Sequence, residues 1–406
     1  MSILKYFPIF VISISPVLRG ESSVIVTLAN LANRVHSQNP DLAAARVRIQ
    51  EALGRVEQAG RRANPELQFA AESNRDFNEG RIEIGFSQRF PVTDRLRSEK
   101  ALSLTQVTIA ETEVREFERR LAAQARAVLI EVLAIRERRS LLEAQAKVTG
   151  ELADSIRQAA DKGEGSLLDA GQARIESARV AAEVRQLDAR EAGLIGGLKP
   201  LLGMLPNQGL VVSGKLPPIA MPTATGSFNR PDLQTAKLEI GAAAQSITLE
   251  ESRRYDDLEI GVFTALEHTE DVPVGRQSDG ILGFQLKIPL PFWNKNEGGI
   301  AEAVARHQRK QLEHRALART IKLEVETARS EMREWAALAD EITNQLQPLA
   351  DEQVAAAETA WRNGQTQLQT VLRAREQLLQ LAATRIDALR EFHLAAARHQ
   401  AATGQP

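Results

Sequence analysis

From Val107 the apolar residues fall at Val107, Ala110, Val114, Phe117, Leu121, Ala125, Val128, Val132 and Ile135, in steps of three and four. That spacing is the seam of a helix packed in coiled-coil fashion. The surrounding stretch, Asp94 to Lys162, contains no proline and only Gly150 as a glycine. It therefore predicts a single helix on the order of 100 Å long at about 1.5 Å per residue. A second stretch of this kind runs from about Glu297 to Asn363, with its seam at Ile321, Val325, Ala328, Met332, Trp335, Ala339, Ile342, Leu346 and Leu349.

Before the first long helix the period is different. Leu28 to Gln38 and Asp41 to Ala63 read as two helices, each stopped by a following Asn-Pro pair, because the residue before proline is pushed out of the helical region. Then Leu67, Phe69 and Ala71 alternate with Gln68 and Glu72, and Ile82, Ile84 and Phe86 alternate with Arg81, Glu83 and Ser87. This period of two predicts strands near 65–74 and 81–90, joined by the turn-rich 73–80. After the long helix, Gly163-Glu164-Gly165 breaks the chain direction and Ser166 is placed to cap a returning helix to about Lys199. Six of the sixteen prolines lie between Pro200 and Pro231, which marks a linker over 200–229.

The chain then repeats itself. Asn39-Pro40-Asp41-Leu42 returns as Arg230-Pro231-Asp232-Leu233, Asn64-Pro65-Glu66-Leu67 as Tyr255-Asp256-Asp257-Leu258, and Phe90-Pro91 as Leu290-Pro291. Gly163, Leu167, Ala173 and Arg174 return as Gly364, Leu368, Ala374 and Arg375. Two structural repeats are expected, 24–199 and 230–403, each with a helix, two strands and a long helical hairpin. The second pair of strands is expected near 257–266 and 281–290, separated by a loop from Glu267 to Gly280, and the second hairpin tip near Gly364.

Composition narrows the class. The 51 basic and 53 acidic residues of this 406-residue chain are interspersed, which gives no clustered basic face for nucleic acid. There is no cysteine, and so no disulfide, thiolate metal site or lipidated N-terminal cysteine. Tyr6 to Leu18, preceded by Lys5, is the one long apolar run. It is too short for a transmembrane helix and suits a secretory signal over 1–23, though Leu18-Arg19-Gly20 is a poor cleavage motif.

The four strands are each about ten residues long, the length a tilted strand needs to cross a bilayer. Nine of the seventeen aromatic residues, Phe69, Phe77, Phe86, Phe90, Tyr255, Phe263, Phe284, Phe292 and Trp293, lie in the two strand regions, as interfacial girdles would. An ordinary small sheet packed on helices is the alternative. Four strands do not close a membrane barrel, since single-chain bacterial barrels begin at about eight. Two copies would give eight strands with a filled interior, whereas three would give twelve and a passage.

The helix, strand-pair and hairpin order, given twice, together with the Asn-Pro motifs and the patterns at Gly163 and Gly364, resembles the TolC family of outer-membrane efflux proteins. The run Ile288-Pro289-Leu290-Pro291-Phe292-Trp293-Asn294-Lys295-Asn296-Glu297-Gly298-Gly299-Ile300-Ala301-Glu302-Ala303 is similar to the corresponding segment of the CzcC-type branch, the exit ducts of heavy-metal cation exporters. The resemblance implies a mostly helical chain with a small β part. Long antiparallel coiled-coil hairpins and four transmembrane strands per chain would trimerise into a 12-stranded β-barrel continued by an α-helical barrel across the periplasm. It also implies outer-membrane lipid around the strands, an inner-membrane transporter of the resistance-nodulation-division class, and a periplasmic adaptor docking on the hairpin tips. Carried onto this chain, the tips are Lys162, Gly163, Glu164, Gly165, Ser166, Leu167 and Asp169 in the first repeat and Arg362, Asn363, Gly364, Gln365 and Leu368 in the second. The expected cargo is a cation of cobalt, zinc, cadmium or copper; drug export, type I secretion and a soluble coiled-coil scaffold are the alternatives.

No Walker loop, GxGxxG, HExxH or GxSxG pattern occurs, so neither an enzyme nor a cofactor is expected. His307 with His314, and His393 with His399, are pairs on one helix and by themselves incomplete as metal sites. His268 falls in the expected outer loop. Asp154, Asp161, Glu164 and Asp169 near the first tip either line the lumen as charged rings or form surface pairs with Arg157 and Lys162.

Overall fold

The computed structural model describes residues 23–75, 78–163, 166–222, 229–271, 273 and 275–404. The expected signal over 1–23 therefore lies outside the described residues but for Ser23, as do Phe77, Glu164 and Gly165. The first repeat contains β1 (Val24–Val26), α1 (Leu31–Gln38), α2 (Pro40–Gln58), β2 (Glu66–Ser73), β3 (Gly80–Phe90), α3 (Arg95–Asp161) and α4 (Leu167–Leu201). After β4 (Leu210–Val212) come α5 (Pro231–Ser252), β5 (Leu258–Asp271), β6 (Gly275–Lys287), α6 (Glu297–Glu341), α7 (Gln347–Arg362) and α8 (Leu368–Thr403). Among the described residues no helix is long and apolar enough to cross a membrane.

α3 is a single helix of 67 residues, and α4 returns along it to make the first hairpin. Of its predicted seam, Val107, Ala110, Val114, Leu121, Ala125 and Val132 are buried, Val128 and Ile135 half-buried, and Phe117 exposed. α8 packs back along α6 and α7 as the second hairpin and also along α3, so the two hairpins lie side by side.

The second long helix is not continuous. A five-residue π-helix, Ile342–Leu346, separates α6 from α7. Pro348 lacks an N–H and its ring would clash with the carbonyl four residues earlier, and the wider π turn accommodates it. The extra residue shifts the seam by one position. Predicted seam residue Leu349 is 61 % exposed, and Ala350 and Ala357 are buried in its place.

The largest apolar cluster lies near the N-terminal end of the described chain. Here Val26, Leu31, Val35 and Leu42 meet Leu121, Ala125, Leu129 and Val132 of α3 and Leu198, Leu202, Met204 and Val212. Asn39, almost fully buried, caps α2 by accepting from the Leu42 N–H at 2.9 Å and donates from Nδ2 to the Leu201 carbonyl at 3.0 Å. β1 and β4 pair in parallel at this cluster, Val24 with Leu210 through Val26 with Val212. Within the stretch expected as a linker or irregular segment, 200–229, α4 runs on to Leu201 and β4 adds three residues of strand, and the other described residues up to 222 are irregular. Three residues are too few for alternation to reveal the strand. Further along, Ile219 packs against Phe392, and the buried His393 donates from Nε2 to the Pro217 carbonyl at 2.8 Å.

The remaining strands form one antiparallel sheet in the order β2-β3-β5-β6, with β3 and β5 joining the two repeats from Gly80–His268 to Phe90–Leu258. The expected loop Glu267 to Gly280 is largely strand. Pairing continues through Glu267–Asp279, His268–Ser278 and Glu270–Arg276. Apolar alternation stops at Leu266 and Leu282 while backbone pairing continues, because hydropathy reports the surroundings of side chains and not ladder hydrogen bonds. At the other end β6 stops at Lys287, three residues earlier than expected, as Pro289 and Pro291 cannot continue a ladder.

Candidate docking tips and duct lining

At the first tip α3 ends on Asp161 with Lys162 as its cap, and Gly163 turns the chain at φ +76° while its N–H donates to the Ala160 carbonyl at 3.0 Å. At the second tip Gly364 has φ +69°, its N–H donates to the Trp361 carbonyl at 2.9 Å, and the Gln365 N–H donates to the Ala360 carbonyl at 2.8 Å. That pair of bonds is a Schellman closure. A Cβ at either glycine would meet open space, so the left-handed backbone alone demands glycine there.

The returning helices start differently. Ser166 caps α4 by accepting from the Asp169 N–H at 3.4 Å, whereas Gln367 makes no side-chain cap for α8. Thr366 instead donates to Thr370 Oγ1 at 3.0 Å. The larger difference is burial. Leu368 is 2 % exposed and sits among Ala153, Ile156, Ala170 and Ala173 of the first hairpin. Its repeat equivalent Leu167 is 69 % exposed, and Leu168 and Ile175 on α4 are equally open. Lys162, Ser166, Arg362, Asn363 and Gln365 are also exposed. The second tip is thereby anchored on the first, and the first presents an apolar surface to solvent.

Asp161 is paired with Arg157 at 3.3 Å on the exposed helix surface, and Asp169 is half-buried in the first turn of α4. Further from the tips, Arg138 reaches Asp387 at 3.2 Å and Arg179 reaches Glu376 at 3.7 Å, ion pairs that tie the first hairpin to α8. Sequence spacing had no means of revealing these, since each joins residues about 200 or more apart. His307 and His314 share α6, His393 is engaged with Pro217, and among the described residues no three His, Asp or Glu side chains gather as a metal-binding group.

In the sheet, register assigns each side chain to a face. Leu67 and Phe69 of β2, Ile82, Ile84 and Phe86 of β3, Val262 and Leu266 of β5, and Leu282, Phe284 and Leu286 of β6 share one face, and all are exposed. The opposite face carries Glu66, Gln68, Glu72, Arg81, Glu83, Arg89, Glu259, Glu267, Asp279, Gln285 and Lys287. Arg89 bridges Glu66 at 3.0 Å and Glu259 at 3.7 Å across three strands. An exposed apolar face opposite a charged one is the pattern of a barrel wall, with lipid on one side and water on the other. One aromatic departs from the expected girdles: Phe263 lies on the charged face.

Where the strands meet the helices, Arg95 at the start of α3 binds Asp257 at 2.8 and 3.1 Å and Glu99 at 3.0 Å. Burial opposes the charge on Arg95, but these two carboxylates outweigh it and raise its pKa above the ordinary guanidinium value. Beyond β6, Trp293 is 97 % exposed and meets Phe292 edge to face. So large an indole left in water suits a membrane interface.

A family model described as outer membrane efflux protein matches residues 31–193 and 228–405. The chain is 23 % identical over 380 residues to the cobalt-zinc-cadmium resistance protein CzcC of Cupriavidus metallidurans, covering 91 % of this chain and 87 % of that protein. Its fold is similar to the solved outer-membrane channel OprN, with TM-score 0.76, 17 % identity and coverage of 93 % of this chain and 90 % of the other. It is also similar to the outer membrane protein VceC of Vibrio cholerae, with TM-score 0.75, 18 % identity and coverage of 93 % and 96 %.

Proposed function

The chain belongs to the outer membrane efflux protein family, as an efflux channel of the outer membrane, and from that premise we propose that three copies form the exit duct of a tripartite pump for heavy-metal cations. The observation that carries the assembly is the sheet. Among the described residues β2 and β6 each have one free edge, one face is apolar and exposed, and the four strands alternate in direction. With an even number of antiparallel strands, β6 of one copy meets β2 of the next in the antiparallel sense, and closure removes every unpaired edge. Three copies give twelve strands, the smallest closed set that leaves an open bore.

The helical hairpins then continue the bore into the periplasm, their tips directed at an adaptor and a resistance-nodulation-division transporter of the inner membrane. Leu167, Leu168 and Ile175 are exposed apolar groups at the first tip and suit an adaptor contact. Trp293 and Phe292 sit at the headgroup level of the inner leaflet. The metal reading is supported by the likeness to CzcC and by the Ile288 to Ala303 motif. Its test is survival of a strain lacking this gene. Sensitivity to zinc, cobalt, cadmium or copper with unchanged tolerance of dyes and antibiotics is the expected result; the reverse pattern would make drugs the cargo.

A further inference from the structure

Within one chain the first repeat meets the second along a continuous seam, with β3 paired to β5 and α3 packed on both α5 and α8. Glu99 reaches Arg253 at 3.9 Å and Thr105 Oγ1 donates to Gln245 Oε1 at 2.9 Å, so α3 and α5 run antiparallel. Two turns further from the sheet Thr112 falls level with Leu238, and Thr112 is fully buried. Beyond that, Arg126 of α3 donates to Gln400 Oε1 of α8.

The duplication places each of these partners in the chain a second time. The buried seam of α3 at Leu121, Ala125 and Val132 returns on α6 as Ile321, Val325 and Met332. Gly203 and Gly404, both of positive φ, press in the same way on Gln38-Asn39 and on Asn229-Arg230, which matches α4 to α8 and α2 to α5 residue by residue. In that register Thr105 and Gln245 correspond to Ala305 and Gly54, Thr112 and Leu238 to Leu312 and Val47, and Arg126 and Gln400 to Glu326 and Lys199. The second set is open where the first is closed. Leu312 is 63 % and Val47 55 % exposed, and Ala305 and Glu326 are exposed too. Gly54 lies inside α2, where glycine costs helix stability relative to alanine, and its Cβ would meet open space. A neighbouring helix approaching at Ala305 accounts for it.

We propose that α6 of one copy packs on α2 and the end of α4 of the next copy, with Leu312 against Val47, Ala305 against Gly54 and Glu326 against Lys199. This rests on the reading of three copies closing around one axis, and adds which helices meet and in what register. Three observations make a second copy the occupant. The same contact already joins the two repeats inside one chain. Glu326 and Lys199 are opposite in charge. Finally, α2 and α6 stand at the ends of the order α2-α3-α5-α6 as β2 and β6 do in the sheet, so pairing β6 with the next β2 brings these helices together.

The chain has no cysteine, so introduced ones are the only thiols. Val47→Cys/Leu312→Cys channels in outer membranes are treated with a short bis-maleimide and run on denaturing gels after boiling. The expected result is a shift from monomer to covalent dimer and trimer, and none in either single variant. Co-expressed single variants are expected to give the covalent dimer, which only a contact between copies produces. Lys199→Cys/Glu326→Cys is expected to shift in the same way, and serves alone where the first pair does not assemble. Val47→Cys/Leu323→Cys uses another exposed leucine of α6, about 16 Å out of register, and is expected to stay monomeric. Monomer alone from a matched pair, in particles that native mass spectrometry shows to hold three chains, overturns the proposal, as does equal cross-linking of the mismatched pair. Particles that never hold three chains contradict the duct reading instead.

Discussion

Leu368 and Leu167 hold equivalent places in the two tips, yet one is 2 % and the other 69 % exposed. Truncating each to alanine therefore tests whether the second tip is anchored on the first. Leu368→Ala removes a side chain enclosed by Ala153, Ile156, Ala170 and Ala173, three alanines and one stiff β-branched side chain on two helices, which cannot collapse into the space. Such a change costs about 3 kcal/mol within a usual span of roughly 2–5. Leu167→Ala removes a side chain already in water and stays within about 0.5 kcal/mol. At about 1.4 kcal/mol per factor of ten, Leu368→Ala raises the local opening constant on the order of a hundredfold. Amide hydrogen exchange on the assembled protein, without adaptor, reads this at residues 150–156 and 357–375. Leu368→Ala is expected to lose about two orders of magnitude of protection there and Leu167→Ala almost none, from the same energies. Equal protection in the two variants would refute the anchoring.

Gly203, with φ +64°, packs so closely on the Gln38 carbonyl that a Cβ would overlap it. Gly203→Ala is expected to abolish the heat-modifiable oligomer on gels of the membrane fraction, whereas Gly364→Ala, with open space around it, keeps the oligomer and costs about 1–2 kcal/mol of strain, read as faster exchange at the tip. Burial lowers the His393 imidazole pKa from its ordinary 6.5, with the Pro217 carbonyl and Glu137 opposing only in part. The unfolded chain then takes up the proton first, so this contribution is intact above about pH 6.5 and is lost as pH falls below it. The thermal midpoint should drop between pH 7.5 and 5, and His393→Gln should flatten that slope. Glu164→Gln together with Asp169→Asn, the two isosteric neutral replacements, is expected to lower single-channel cation preference; an unchanged reversal potential would reject a charged ring at the first tip.

The mostly helical architecture with a small antiparallel sheet was legible because both periods, three to four and two, are sustained over many residues. Val107 to Val132 and the alternation at Ile82, Ile84 and Phe86 carry it. What escaped is either short or non-local. Val24–Val26 and Leu210–Val212 are too brief to alternate, and their pairing joins segments far apart in sequence. The π turn before Pro348 moved the seam from Leu349 to Ala350, since a pattern drawn with one helical period cannot anticipate an added residue. At the tips, glycine spacing located both reversals, but the opposite fates of Leu167 and Leu368 depend on how one hairpin lies on the other. Phe263 was visible as an aromatic and not as a member of the charged face. Its position counted from Val262 would have revealed that, because adjacent strand residues point to opposite sides.

The central claim, that the free edges of β2 and β6 are closed by further copies of this chain, is tested most directly by native mass spectrometry of the protein extracted from outer membranes in mild detergent. The account predicts three chains per particle, and single chains only after heating. A monomer or dimer recovered from the soluble fraction would contradict it.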